Sequence, residues 1–261
     1  REEKTYREMP DLLELLKGEI GLKRIPHFTT MNKFARRAKP NWFYALNEQI
    51  IKEICTEECI CAIDGTGFSL SCRSKYFETI AGTRNAFLQL NACYENKHHL
   101  IVDCKIHLKR VHENKDFQKI ARKTAKQVKA SCFLADKAYD SEENHKFVRY
   151  ELKSNFVAPL RRHGKKITGF YRKQMEDLPL IYKQRASIAE TGNSAIKGRY
   201  GDIIRSKKFR MQKNELLGKI LAYNIERIIC LRAVTFYSPH PIKNLKTPNR
   251  LNKKCKREPR S

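Results

Sequence analysis

The sequence predicts an α/β fold: a mixed sheet with helices on its faces, preceded by a small N-terminal helical unit. Three observations carry this. Residues 1–55 hold apolar patterns of helical period. From Cys59 the character changes to short β-rich runs, the first three spaced as antiparallel neighbours. Beyond Lys115, helical and apolar stretches alternate, which implies β-α-β crossovers and a parallel half of the sheet.

Taken in order, Pro10 precedes a helix over Asp11–Ile20, with Leu12, Leu13, Leu15 and Leu16 at compatible spacing. Thr29-Thr30 caps a second helix through Arg37, which Pro40 ends. Asn41–Ile54 reads as a third, with Trp42 and Phe43 as core anchors. Cys59–Ile63 is a short strand closed by Asp64-Gly65-Thr66-Gly67. Ala86–Tyr94 and His99–Leu108 are strands joined through Glu95-Asn96-Lys97. Lys115–Lys129 is an amphipathic helix, with Phe117, Ile120, Ala121, Thr124 and Val128 on one face. Ser131–Leu134 is a buried-type strand leading to Asp136. A helix from Asp140 to about Leu152, a strand over Asn155–Leu160 and a basic loop come next. Ser187–Arg199 is a polar helix and Glu215–Val234 a long apolar one.

Among the 261 residues, 54 Lys+Arg stand against 28 Asp+Glu, a formal charge of +26. That surplus repels itself in a compact chain, and a polyanion relieves it, nucleic acid being the commonest; a solvated basic surface is the blander explanation. Basic residues recur from Lys146 to Arg199, including Lys165 and Lys166. Ser238–Ser261 is Pro-punctuated, with Lys253, Lys254, Lys256 and Arg257, and reads as a flexible basic arm. Hydrophobic residues make up 41%, enough for a core, so wholesale disorder is excluded. No apolar run approaches the roughly 20 residues of a membrane helix, so no membrane partner is expected. No signal peptide is visible, and a start at Arg1 leaves earlier residues open.

The nine cysteines lack a secreted-scaffold spacing, which favours reduced thiols in a cytosol. Cys55-x3-Cys59-x-Cys61 departs from the usual zinc spacing, with His98-His99 the nearest His pair, so buried free thiols are the favoured reading.

Three acids stand out. Asp64 follows an apolar strand, at the edge where open sheets place their sites; a turn Asp before Gly is as common. Asp136 repeats the arrangement after Phe133-Leu134-Ala135. Asp140, with Glu143 three residues on, has a structural explanation as a capping box. Glu190 shares a helix face with Ser194 and Lys197, as a Glu–Lys surface pair would. Asp64, Asp136 and Glu190 brought together repel one another unless they hold a divalent cation, and hard oxygen ligands suit Mg²⁺ or Mn²⁺. In a basic protein, two such ions point to phosphodiester chemistry.

Ala62-Ile63-Asp64-Gly65-Thr66, Leu134-Ala135-Asp136-Lys137-Ala138-Tyr139-Asp140-Ser141 and Tyr182…Arg185…Glu190…Lys197 resemble insertion-sequence transposases of the DDE group. Lys23 to Thr30 shows a weaker likeness to their N-terminal region. The resemblance implies a ribonuclease H-like core, Mg²⁺ (or Mn²⁺) held by Asp64, Asp136 and Glu190, and DNA contacts from Tyr182, Arg185, Lys197 and Arg199. It implies cleavage of transposon ends and transfer of the 3′-OH strand to target double-stranded DNA. A homodimer in the DNA complex and a cytoplasmic, nucleoid-associated setting in a prokaryotic cell go with it. Residues 1–55 would contact DNA, 56–237 would form the catalytic domain and 238–261 the tail. A decayed transposase that only binds DNA, and a related nuclease, are the alternatives.

The family's third motif reads Tyr-x2-Arg-x3-Glu-x6-Lys. Here Glu190 and Lys197 keep the six-residue gap, but four residues separate Arg185 from Glu190. On a continuous α-helix that moves Arg185 from about 40° to about 140° away from Glu190. Either the helix starts after Arg185, or Arg185 does not do the family's job. Gly192-Asn193 also departs from the bulkier residues common there, and a mid-helix Gly costs about 1 kcal/mol.

Overall fold

The computed structural model describes residues 5–71, 87–109, 111–112, 114–162 and 167–237. The basic arm at 238–261, Lys165, Lys166 and Ala86 lie outside these. Three helices come first: α1 (Met9–Leu16), α2 (Phe28–Arg37) and α3 (Pro40–Ile54). Pro10 lies in the first turn of α1 and Pro40 in that of α3, where a missing N–H costs nothing. Trp42 does not anchor the core as the sequence suggested. It is 47% exposed, its ring 6.1 Å from that of Phe34, while Ile51 and Asn47 are the buried residues of α3. Helical period places Trp42 on the face opposite Ile51, and packing follows that face.

The sheet has six strands: β1 (Cys59–Leu70), β2 (Phe87–Glu95), β3 (Ile101–His107), β4 (Ala130–Ala135), β5 (Asn155–Val157) and the short β6 (Ile203–Ile204). Their order is β3-β2-β1-β4-β5, with β6 paired to β1. β1, β2 and β3 are antiparallel neighbours, while β4, β5 and β6 run parallel to their partners. An antiparallel meander followed by parallel crossovers is the ribonuclease H-like arrangement, in agreement with the sequence.

One expectation for β1 fails. Asp64-Gly65-Thr66-Gly67 is not a turn: β1 runs straight through it, paired with β2 from Cys61↔Glu95 to Ser69↔Phe87. The ladder to β2 outweighs the turn tendency of the two glycines, and Gly67 lies under the Phe87 ring, 3.3 Å from where a Cβ would stand.

Helices cover both faces of the sheet. Ala62, Leu90, Ala92, Tyr94 and Leu134 face α7 (Thr191–Tyr200) and α8 (Phe209–Tyr237), meeting Ile188, Ile196, Leu216 and Ile220. Cys61, Ile63, Cys93, Phe133 and Phe156 face Ile51 of α3, Phe117, Ile120 and Ala121 of α4 (Asn114–Ala125), and Phe147 and Val148 beyond α5 (Glu142–Lys146). Each fully buried Ile, Leu or Phe contributes about 1.5–3 kcal/mol. α3 is bound to the sheet by polar contacts as well. Asn47 Nδ2 donates to the carbonyls of Ile101 and Val102 at 3.0 and 3.1 Å, and Asn224 of α8 donates to Asn47 at 2.6 Å.

Asp140 is structural, though not as a cap. Ser141 caps α5 by accepting from the Asn144 amide, and the Asp140 carboxylate holds Arg172 of α6 (Phe170–Lys173). Among the described residues no helix is long and apolar enough to cross a membrane.

Candidate active site

The last parallel pair between β1 and β4 is Ile63↔Ala135. The next residue on each chain is an aspartate. Side chains alternate along a strand, so Asp64 and Asp136 both leave the face that Ile63 and Ala135 occupy and emerge on the α7 side. β4 stops there because Asp136 caps the following turn, its Oδ1 accepting from the Lys137 amide at 2.7 Å. β1 continues, so Asp64 sits mid-strand at the point where its parallel partner departs.

The third acid comes from the helix above. Ala186–Glu190 forms a single π turn that leads directly into α7. Such a turn bonds i to i+5, which absorbs one extra residue without rotating the helix beyond it. The four residues between Arg185 and Glu190 therefore place the two side chains as three would on an α-helix. Arg185 Nη2 donates to Glu190 Oε1 at 3.1 Å, and Nη1 donates to Asp64 Oδ1 at 3.5 Å. The helix does not begin after Arg185, and its side chain lies between Asp64 and Glu190.

The oxygens of Asp64, Asp136 and Glu190 do not all lie within 4.8 Å of one another. The guanidinium of Arg185 stands between Asp64 and Glu190 as their shared cation. It stacks over Tyr182, 5.9 Å from the ring centroid. Burial alone would lower the Arg185 pKa, but Tyr182, Asp64 and Asp136 reverse this and raise it, so it stays charged. Burial raises the Tyr182 hydroxyl, Arg185 pulls against this, and Asp136 and Asp64 push it further up. Asp64 is 19% exposed and Glu190 is 61% exposed, so Asp64 is fixed and Glu190 is free to reorient.

Asp64 has a second support that the sequence did not reveal. Asn193 Nδ2 donates to Asp64 Oδ2 at 3.1 Å, and Tyr94 Oη donates to Asn193 Oδ1 at 2.5 Å. Gly192 is part of the same device: a Cβ there would stand 2.5 Å from Tyr94 Cδ1. The Tyr94 ring thus lies flush against the backbone of α7, and only Gly admits it. The one signal in the sequence was the unusual Gly192-Asn193 pair itself. Gly192→Ala should lower stability by about 1–3 kcal/mol, overpacking exceeding the gain in helix propensity. Tyr94→Phe should cost about 1 kcal/mol for its hydrogen bond. Urea denaturation reads both, and a Gly192→Ala protein as stable as wild type contradicts this packing.

Of the other residues predicted from sequence, Lys197 lies on the same side, its Nζ 5.5 Å from the centre of the Phe68 ring. Phe68 shares Asp64's side of β1, so Lys197 extends the cationic line along the strand. Arg199 is not in this group: it pairs with Glu226 of α8 at 2.8 Å. Tyr139 is a core residue, fully buried, with its ring 5.7 Å from that of Phe117. The donor set is three carboxylates whose present counter-charge is a guanidinium, and hard divalent cations fit such a set.

A family model described as a transposase DDE domain matches residues 56–225. Among solved structures, the chain is similar to a piggyBac transposase in a synaptic complex with hairpin DNA. That match has 10% identity and a TM-score of 0.35, and covers 67% of this chain and 51% of that one. It is also similar to the Drosophila P element transposase in a strand transfer complex. There the identity is 11% and the TM-score 0.29, with 88% of this chain and 61% of that one covered. The chain thus spans less than two thirds of either, and neither likeness is close enough to bear on function. Comparison with curated proteins returns no match.

Proposed function

The chain belongs to the transposase DDE domain family, and from this we propose that it is a DNA transposase. It would cleave transposon ends and transfer the freed 3′-OH strand to target DNA by metal-assisted phosphodiester chemistry. The observation that carries the reading is the placement of the three acids on one side of the sheet, where β4 leaves β1. Asp64 and Asp136 each follow the last parallel pair, Ile63↔Ala135, and Glu190 is tied to Asp64 through a single cation.

Asp64, Asp136 and Glu190 would hold a pair of Mg²⁺ (or Mn²⁺) ions. Bound there, the ions would activate the attacking oxygen and stabilise the leaving one. Asn193, itself held by Tyr94, keeps the Asp64 carboxylate aimed at the cleft. Arg185 exchanges its carboxylate partners for a phosphate oxygen, with Tyr182 supporting its planar head. Lys197 meets the next phosphate along the strand. The charge of +26 supplies the rest of the attraction to double-stranded DNA. A homodimer joining two ends, and work in the cytoplasm at the nucleoid, belong to the same proposal. So do DNA contacts from residues 1–55 and from the basic arm.

The extra residue before Glu190 would by itself favour a protein that binds DNA without cutting; the π turn, which brings Arg185 back beside Glu190, supports cutting instead. The test is to incubate the chain with its flanking genomic DNA and Mg²⁺, mapping nicks and joined products. Nicks at the element's ends with 3′ strands joined to target are expected. Salt-sensitive binding with no Mg²⁺-dependent nick overturns the proposal, and nicks without joined products reduce it to a nuclease.

A further inference from the structure

Away from the carboxylate cleft, on the opposite side of β1, the end of α3 meets the β2–β3 turn. Cys55 closes α3, Glu95 ends β2 and His98 lies in the turn. Their ligand atoms all fall within 4.8 Å of one another. His98 Nδ1 is 3.9 Å from Cys55 Sγ and 3.6 Å from Glu95 Oε2. Neither is the length of a good hydrogen bond. Both approach the edges of a zinc tetrahedron, which from metal–ligand bonds of about 2.0–2.3 Å are roughly 3.3 and 3.5 Å for N···O and S···N.

The carboxylate is oriented in advance. Glu95 is fully buried and accepts from the amides of Lys97, His98 and Leu100 at 2.8–3.1 Å, which fixes it beneath the ring. Four residues after Cys55, Cys59 is also buried, but its Sγ lies against Cys61 Sγ at 3.9 Å and outside the cluster.

We propose that Cys55, His98 and Glu95 bind a Zn²⁺ ion, with a water as fourth ligand. Cys55 comes from one segment and Glu95-x2-His98 from another, and no single segment carries a familiar zinc spacing. The ion would lock the end of α3 to the β2–β3 turn. That turn is already held from α8 by Arg227, whose Nε and Nη2 each donate to the His98 carbonyl at 3.1 Å. The site does not depend on the transposase reading.

The test is metal loading of the full chain under reducing conditions. One Co²⁺ per chain should show a thiolate-to-metal charge-transfer band with tetrahedral visible bands, apart from any ion at the carboxylate cleft, and Zn²⁺ should displace it. His98→Gln and Cys55→Ser should abolish the bands; Asp64→Asn should keep them, since the cleft is separate. On wild type alone, Zn²⁺ should protect Cys55 from alkylation while exposed Cys230 stays reactive. This second readout serves if the variants do not fold. Absence of the thiolate band in wild type, its survival in Cys55→Ser, or equal alkylation with and without Zn²⁺ overturns the site.

Discussion

Asp64→Asn is expected to lower Mg²⁺-dependent DNA cleavage roughly 10³-fold or more while DNA affinity changes little. A metal held by this carboxylate would supply several kcal/mol of charge stabilisation, and each 1.4 kcal/mol is tenfold in rate. The substitution is nearly isosteric. An Asn at 64 still offers an oxygen to Asn193 Nδ2, but its amide hydrogens now face the Arg185 guanidinium. Loss of one negative charge in a chain of +26 does not weaken phosphate binding. Cleavage and gel-shift assays on the same preparation separate the two effects. Wild-type cleavage rates in this variant contradict the assignment of Asp64, whatever the binding result.

Asp140→Ala should cost about 3–5 kcal/mol of stability, because it leaves a largely buried guanidinium without its partner. The Asp140 side chain is 0% exposed and that of Arg172 is 18%. Arg172 donates to Asp140 through Nε at 3.0 and 3.1 Å and through Nη2 at 2.7 Å, and the Arg161 amide adds a fourth bond at 2.8 Å. The carboxylate therefore anchors both ends of the segment between β5 and α6, four residues after Asp136. Replacing both partners by apolar residues should recover part of the loss, since the unpaired charge is the larger penalty. Urea unfolding measures both; an Asp140→Ala protein within about 1 kcal/mol of wild type contradicts the account of this pair.

Where the pattern is local, the sequence carried the fold. The helical period of Phe117, Ile120, Ala121 and Thr124 reads directly as the buried face of α4, and all four are fully buried. The apolar runs before Asp64 and Asp136 likewise read as central strands. The features that escaped depended on distant partners. Gly65-x-Gly67 looks like a turn until β2 is laid against it. Gly192 looks like a weak point until Tyr94, far away in the chain, is seen packed on it. Trp42 looks like an anchor, and only the choice of helix face shows otherwise. The gap between Arg185 and Glu190 is one residue too long for α-helical geometry, and a π turn cannot be inferred from spacing alone.

The central claim is that Asp64, Asp136 and Glu190 share bound divalent cations on one side of the sheet, where β4 leaves β1. Fe²⁺-generated hydroxyl radicals cut a polypeptide beside the bound metal, so mapping the fragments of the folded chain tests the claim directly. Cuts in all three stretches, around 64, 136 and 190, each suppressed by added Mg²⁺, are the predicted result. Cuts in only one of them, or a pattern that Mg²⁺ leaves unchanged, would contradict it.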